Sequence, residues 1–510
     1  MTIPSNAATV DYATLLRRDL NTSKLASLDG NVYTTDLFDL PAGGVGLAFG
    51  GGWRRESLYL NPDDQGRLKQ EAGVGQSFRT QAGRKDWDFY TEVLVPIFSP
   101  KMGIPGFYSL EVTGADRVEV FRNNDTNALV PKVGVRWQPF NEELTIRSTW
   151  GEGFLEPSLF QFFGGPAFTL ASTHLPGGAA QPETTEEIDP NPNLKPEDSR
   201  EWTGGVVYTP KWVQNFIPNS TLTLSVDLWD IERNGVVVIP GAQEVVSRFL
   251  SGTLNPGEEV IADTASGTVT FVKNLYQNAG RENARGVDLG LQFQIQTRFG
   301  TWTFINQYTY LDSFIFQPSI QSRAREVSGR TNSDPFEGSF FGQTTGGDGW
   351  VKWKGTSRLD WSDWPWKGIG LTWTLHYFDG FHEKNNFAGS GARLEHWVDG
   401  TYFQDVQLYY ELVFTPPVEA APVAGYSKGG KEVISSKEGK GKEVQSAAAY
   451  AMPCWQTIFN NTRITVGVND IFGEDPPHAS GFENGNSTGY PGFQYDNLGR
   501  FLYVELKKKF

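Results

Sequence analysis

Five histidines, His174, His376, His382, His396 and His478, are the side chains in this sequence best suited to proton transfer or metal ligation near neutral pH. Only His382 and His396 have evident company, with Glu383 and Glu395 beside them at the two ends of one stretch. Imidazole and carboxylate together suit several metals, so this stretch reads either as a metal site or as the polar residues of a loop. The lone Cys454 rules out an intrachain disulfide and a cysteine-based zinc site. Gly/Pro-rich runs such as GPAFTLASTHLPGGAAQP lack the strand–loop–helix setting of a phosphate-binding loop. No catalytic set emerges, so the expectation is a non-enzyme with no cofactor and no metal. A second group is polar by position: Arg147, Arg358, Asp360, His376, Asp405, Glu411 and Arg463 all occupy the hydrophilic phase of alternating segments. Projecting inward they would line a lumen, and they read either as a ligand path or contacts to a plug, or as the mixed charge of a hydrated lumen.

The elements that carry these residues are strands. Val287, Leu289, Leu291, Phe293 and Ile295 alternate with Asp288, Gly290, Gln292 and Gln294. Ile369, Leu371, Trp373, Leu375 and Tyr377 alternate with Gly370, Thr372, Thr374 and His376, and similar runs surround Leu222–Leu228, Val406–Leu412 and Ile464–Val468. Successive strand side chains point to opposite faces, so each segment has one apolar and one polar face. A membrane barrel with a wet lumen and a soluble sandwich both satisfy that pattern. The connections separate them. Strands predicted near 130–140, 143–154, 200–212, 221–239, 283–298, 300–316, 349–364, 367–381, 399–415, 460–472 and 499–510 follow others near 45–60, 84–99 and 107–120. Their links alternate short and long, with 155–199, 240–282, 317–348 and 473–498 all falling at one end. Short turns at one rim and long loops at the other are the rhythm of outer-membrane barrels. Trp353, Trp361, Trp364, Trp366 and Trp373 crowd one predicted turn and read as part of an interfacial belt, with Phe381, Phe387, Phe482 and Tyr490 as loop aromatics able to stack on a carbohydrate.

Composition agrees with an all-β chain. Of 510 residues, 57 are glycine and 14% are aromatic, while methionine numbers only 3. Mean hydropathy is −0.39, and no run is long and apolar enough for a spanning helix. A net charge of −15 argues against nucleic acid as a partner. Residues 1–30 are expected to be irregular and 31–510 to form the barrel, with a Lys/Glu/Gly/Ser-rich insertion at 416–459 that should be disordered. The opening MTIPSNAATVD has no basic or apolar leader, which reads either as a cytoplasmic start or as a chain beginning downstream of its natural start.

Several stretches resemble one family. RSTWGEGFLEPSLFQFF (Arg147–Phe163), NPNLKPEDSREWTGGVVYTP (Asn191–Pro210), NAGRENARGVDLGL (Asn278–Leu291), VGVNDIFGEDPP (Val466–Pro477) and YDNLGRFLYVELKKKF (Tyr495–Phe510) occur in the order seen in barrels of TonB-dependent outer-membrane receptors. The last strand, with Leu502, Val504, Leu506 and Phe510 on one face, resembles the signal read by the outer-membrane assembly machinery. The resemblance implies an antiparallel transmembrane β-barrel in the cell outer membrane of a Gram-negative-type bacterium, and uptake of a siderophore, cobalamin or glycan. Family barrels have about 22 strands around a plug. Roughly 14 or 15 strands can be read in this sequence, which implies a partial barrel without the plug, coupled to TonB only if a plug is supplied. A self-closed passive channel and a secreted carbohydrate-binding module are the alternatives.

Overall fold

The computed structural model describes residues 14–70, 75–122, 126–178, 181–263, 265–319, 322–329, 350–386, 393–412, 414, 454–477, 495 and 497–509. In chain order it runs β1 (Leu20–Thr34), a two-residue pair β2 (Asp39–Leu40) and β3 (Gly43–Gly44), β4 (Gly46–Asn61), α1 (Asp64–Arg67), β5 (Thr80–Phe98), β6 (Ser109–Phe121), β7 (Thr126–Gln138) and β8 (Leu144–Leu155). Next come α2 (Leu159–Phe163), β9 (Ala167–Thr173), β10 (Gln181–Asp189), β11 (Glu197–Tyr208), α3 (Val213–Phe216), β12 (Ser220–Val238), α4 (Ala242–Ser251), β13 (Glu259–Asp263), β14 (Thr268–Leu275), β15 (Gln277–Thr297) and β16 (Gly300–Gln317). The chain finishes with β17 (Arg325–Glu326), β18 (Trp353–Ser362), β19 (Ile369–Phe378), β20 (Phe381–Asn386), β21 (Arg393–Val398), β22 (Thr401–Leu412), α5 (Cys454–Phe459), β23 (Thr462–Asn469) and β24 (Phe501–Lys508).

One antiparallel sheet dominates, ordered β1-β4-β5-β6-β7-β8-β11-β12-β15-β16-β18-β19-β22-β23-β24, with β17 beside the end of β16. Each long strand pairs with the next in sequence, an up-and-down meander of the kind that builds membrane barrels. Among the described residues, β1 pairs only with β4 and β24 only with β23. The predicted strands are nearly all present within a few residues. The start is the exception: β1 begins at Leu20, inside the segment expected to be irregular. Its apolar alternation is weak, but its whole length hydrogen-bonds to β4, and that long-range ladder overrides a poor local pattern.

The long links 155–199 and 240–282 are not plain loops. They supply β9, β10, β13 and β14, which form a separate four-stranded sheet ordered β13-β14-β10-β9, with β10 and β14 parallel. Helix α4 closes over it, burying Leu175, Val245, Val246, Val260, Val269 and Val272 in a core of their own. Burying each such side chain contributes about 1.5–3 kcal/mol, enough to hold two loops as one cap. The α4 helix ends at Gly252 in the left-handed region, φ 71°, where a side chain would be strained. The helix α2 begins with a reciprocal cap: Gln161 N donates to Ser158 Oγ at 3.2 Å, and Ser158 N donates to Gln161 Oε1 at 2.7 Å. The insertion expected at 416–459 lies outside the described residues except for α5 at its end. The short-turn rim is tight where it matters most. Gly300, at φ 95°, turns β15 into β16, and a Cβ there would overlap the Ser362 carbonyl of β18.

Candidate functional site

Residues directly opposite in an antiparallel pair share a face, so the strand register carries side-chain direction around the whole sheet. By that rule all seven polar candidates lie on one face. Arg147 on β8 stands opposite Gly205 on β11, which stands opposite Asp227 on β12. A Cβ on Gly205 would collide with the Asp227 carboxylate, so its absence lets the arginine reach across a strand. Arg147 Nε and Nη2 donate to Asp227 Oδ1 and Oδ2 at 2.9 and 2.7 Å, a two-point grip. The same row continues through Asp288, which accepts from Thr309 Oγ1 at 2.7 Å, to Lys354.

The other six candidates lie on β18, β19, β22 and β23. Arg358 grips Asp360 at 2.8 Å, and Thr372 Oγ1 donates to the same carboxylate at 2.5 Å. Glu411 stands opposite Arg463, whose guanidinium lies 3.6 Å over the Tyr409 ring. These four line the short-turn half. Nearer the loops, His376 Nε2 is 2.9 Å from Asp405 Oδ2, while Asp470 N donates to Asp405 Oδ1 at 2.9 Å. A carboxylate held on both oxygens fixes the imidazole's direction. His376 stands between two hollows of the polar face. One, of about 520 Å³, is lined by Asp227, Asp288, Thr309 and Lys354; the other, of about 380 Å³, by Phe378, Phe403, Asp405 and Tyr495. Both fall in the size range of small-molecule pockets.

The aromatic side chains that line the second hollow pack against a small apolar core. Phe381 is fully buried, packed with Val351, Val398 and Tyr495, and with Phe378 and Phe403 around them. Phe381 is thus a core residue and unavailable to stack on a sugar; Phe387, Phe482 and Tyr490 lie outside the described residues. Burial pushes the Tyr495 phenol up to about 12, so it stays a neutral donor at any physiological pH. Sequence reasoning missed Tyr495, because it stands in a Gly/Asn-rich loop with no periodicity to mark it. Across the β20–β21 pair, Glu383 stands opposite His396, while the His382 ring packs edge-on to Trp397 at 4.9 Å. Among the described residues no three ligating side chains converge on a metal position. His174 lies in the cap, immediately after β9, and His478 falls outside the described residues.

The opposite face is apolar from strand to strand, as in the row Ile146, Val206, Val226, Leu289. Aromatic residues mark both of its borders. At the short-turn rim Trp302 stacks on Trp361 at 5.5 Å, Trp361 meets Trp364 at 5.4 Å, and Phe107 lies between Phe98 and Trp137. At the loop rim Trp53 meets Trp87 at 6.4 Å and Tyr310 meets Trp353 at 4.7 Å, with Trp150 opposite Trp202. The tryptophans expected around one turn therefore divide: Trp361 and Trp364 stay there, while Trp353 belongs to the far border. Trp302 and Tyr310 are eight residues apart on one strand. At about 3.4 Å per residue and a tilt near 40° the two belts are roughly 20 Å apart, close to the band height of outer-membrane barrels. Leu502, Val504 and Leu506 continue this face on β24 and are more than two-thirds exposed; Phe510 lies outside the described residues.

Residues 4–417 match the family model for the β-barrel of TonB-dependent receptor-like proteins. The chain belongs to this family. Solved structures agree in fold. A mutant ferric enterobactin receptor from Pseudomonas aeruginosa, in complex with enterobactin, superposes with a TM-score of 0.55 at 13% identity, covering 95% of this chain and 54% of that one. A siderophore receptor from Acinetobacter baumannii gives 0.55 at 13% identity over 96% and 55%. An outer membrane transporter from Escherichia coli gives 0.55 at 9% identity over 96% and 55%. This receptor-type barrel chain therefore spans about half the length of the solved receptors it matches. No curated protein matches its sequence.

Proposed function

We propose that the chain forms the wall of an outer-membrane receptor that takes up a siderophore-type ligand along its polar face. The observation that carries this reading is the pair of aromatic belts bounding one apolar face, with paired charges on the other. Lipid meets the apolar side, and the ligand meets the hollows on either side of His376. The cap built from β9, β10, β13, β14 and α4 rises from the loop rim, where a ligand first arrives. Unpaired strand edges do not persist in hydrocarbon, so the free edges of β1 and β24 must be met there by each other or by further strands. Leu502, Val504 and Leu506 offer the assembly machinery an apolar terminal strand. Transport powered through TonB requires a plug within the lumen, and the polar face presents charges for one to dock on. The siderophore ligand class is drawn from the solved receptors of this fold.

The test uses the full chain purified from outer membranes in detergent and titrated with a ferric catecholate, following tryptophan fluorescence. Saturable quenching, weakened by His376→Asn, is the expected result. Quenching that rises linearly with concentration, and equally in the variant, would refute the ligand assignment.

A further inference from the structure

Between its aromatic belts the outer face is mainly apolar, with Thr91 and Asp116 as polar exceptions, and beyond the loop-side belt it turns basic. Leu28, Trp53, Trp87 and Val120 stand opposite one another as the last row of that belt. One row nearer the loops stand Arg55 and Lys85, followed by Arg122, whose N–H donates to the Lys85 carbonyl at 3.1 Å. The row after that holds Lys24, Ser57 and Gly83. Lys24, Arg55, Lys85 and Arg122 together line a cavity of about 790 Å³, with Thr22, Tyr59 and Gln81 adding hydroxyl and amide donors. Gly83 adds no side chain to the cavity, and a Cβ there would stand 3.1 Å from the Glu56 carbonyl. Glu56, the carboxylate among the lining residues, is turned to the other face, where Arg84 Nε donates to it at 2.7 Å. All four cations are exposed, and among the described residues none has an ion-pair partner.

Four like charges in two adjacent rows repel one another, and among the described residues no carboxylate pairs with them. Arginine forks match phosphate oxygens in pairs, and lysines add point charges. We propose that this pocket binds the phosphates of an outer-leaflet glycolipid headgroup, of the diphosphorylated lipid A class, while its acyl chains lie down over Trp53, Trp87 and Phe89. Position selects lipid over a soluble anion: the cavity opens beside the apolar band, one strand row from the hydrocarbon border. The cavity is also far larger than a free phosphate needs. The inference rests on the membrane orientation proposed above.

The experiment takes the full chain in phosphatidylcholine vesicles and first reads insertion, by quenching of tryptophan with brominated acyl chains. Native mass spectrometry then measures retention of diphosphoryl lipid A, its dephosphorylated form, and inorganic pyrophosphate. Removing a cation near an anionic headgroup weakens binding about fivefold, so Arg55→Gln/Lys85→Gln/Arg122→Gln should weaken lipid A retention about 100-fold. Lys85→Arg alone should retain it, which separates lost charge from lost folding. Equal retention of phosphorylated and dephosphorylated lipid, or an unchanged triple variant, overturns the proposal. Displacement of lipid A by micromolar pyrophosphate overturns the lipid assignment in favour of a free-phosphate site. Failed insertion of the parent protein overturns the membrane reading and this inference together; insertion with phosphate-indifferent retention overturns this inference alone.

Discussion

Val226→Arg and Ser225→Arg place the same charge one residue apart on β12, on opposite faces of the sheet. Val226 sits in the apolar row between Val206 and Leu289, whereas Ser225 lines the hollow shared with Asp227 and Lys354. The outward series on β12 ends at Asp230, four residues on, about 14 Å along the strand and roughly 10 Å along the membrane normal at a tilt near 40°. Val226 is therefore close to the middle of the hydrocarbon band. An arginine there costs about 2–4 kcal/mol, against less than about 1 kcal/mol near a wet surface. Ser225→Arg should fall in the lower class, with Asp227 and Asp288 on the same face to answer it. Reversible unfolding in urea from vesicles measures both. The folding equilibrium should fall by about 30-fold to 1,000-fold for Val226→Arg and by less than about fivefold for Ser225→Arg. Equal losses in the two variants would refute the assignment of faces, and with it the lumen.

Three further outcomes follow from side chains off the apolar face. Glu258 pairs with Arg248 inside the cap; burial works to raise its carboxyl, but bonds from Arg248, the Asn255 N–H and Gln277 outweigh that and hold it below the ordinary range. A lowered carboxyl stabilises the cap above its unfolded value and loses that contribution as pH falls through the folded one. Glu186 has the opposite sign, because burial raises it: its contribution is present in acid and is lost as pH rises through the raised value. Glu258→Gln should therefore cost about 3 kcal/mol at neutral pH, the low end for a broken buried pair because Glu244 still holds Arg248, and flatten the acid side of the cap's stability, read by hydrogen exchange in α4. Gly205→Val should cost about 1–3 kcal/mol by driving a side chain into the Arg147–Asp227 grip, and Asp227→Ser should recover most of it in urea unfolding. Phe381→Ala should cost about 3–5 kcal/mol locally, seen as faster proteolysis at β20 with unchanged insertion of the sheet.

The barrel was legible because its physics is local to each strand. Period-2 alternation set the faces of β12, β15, β19, β22 and β23, and the short–long rhythm of connections set which rim carries the loops. The seven polar candidates proved to share a face for the same reason. What alternation cannot show is partnership. Arg147 meets Asp227 only because Gly205 lacks a side chain, and His376 meets Asp405 across a strand pair, so both depend on register. The cap was illegible on other grounds. Its strands are short, and β10 pairs in parallel with β14, about 86 residues further along the chain, as in Thr185 with Phe271. Its apolar residues cover one another and obey no simple period. The outward basic pocket also escaped notice, since Lys24, Arg55, Lys85 and Arg122 come from three strands and a turn that only the sheet brings together.

The central claim is that one face meets lipid and the other water. A nitroxide scan along β12 in a Cys454→Ser background tests it directly, with one label at a time from Leu222 to Leu228. The account predicts high oxygen accessibility at Leu222, Leu224, Val226 and Leu228 and high accessibility to a water-soluble nickel chelate at Thr223, Ser225 and Asp227. The two patterns should run out of phase along the whole strand. Accessibility to nickel at every position, or two patterns in phase, would contradict a lipid-facing sheet and the receptor reading built on it.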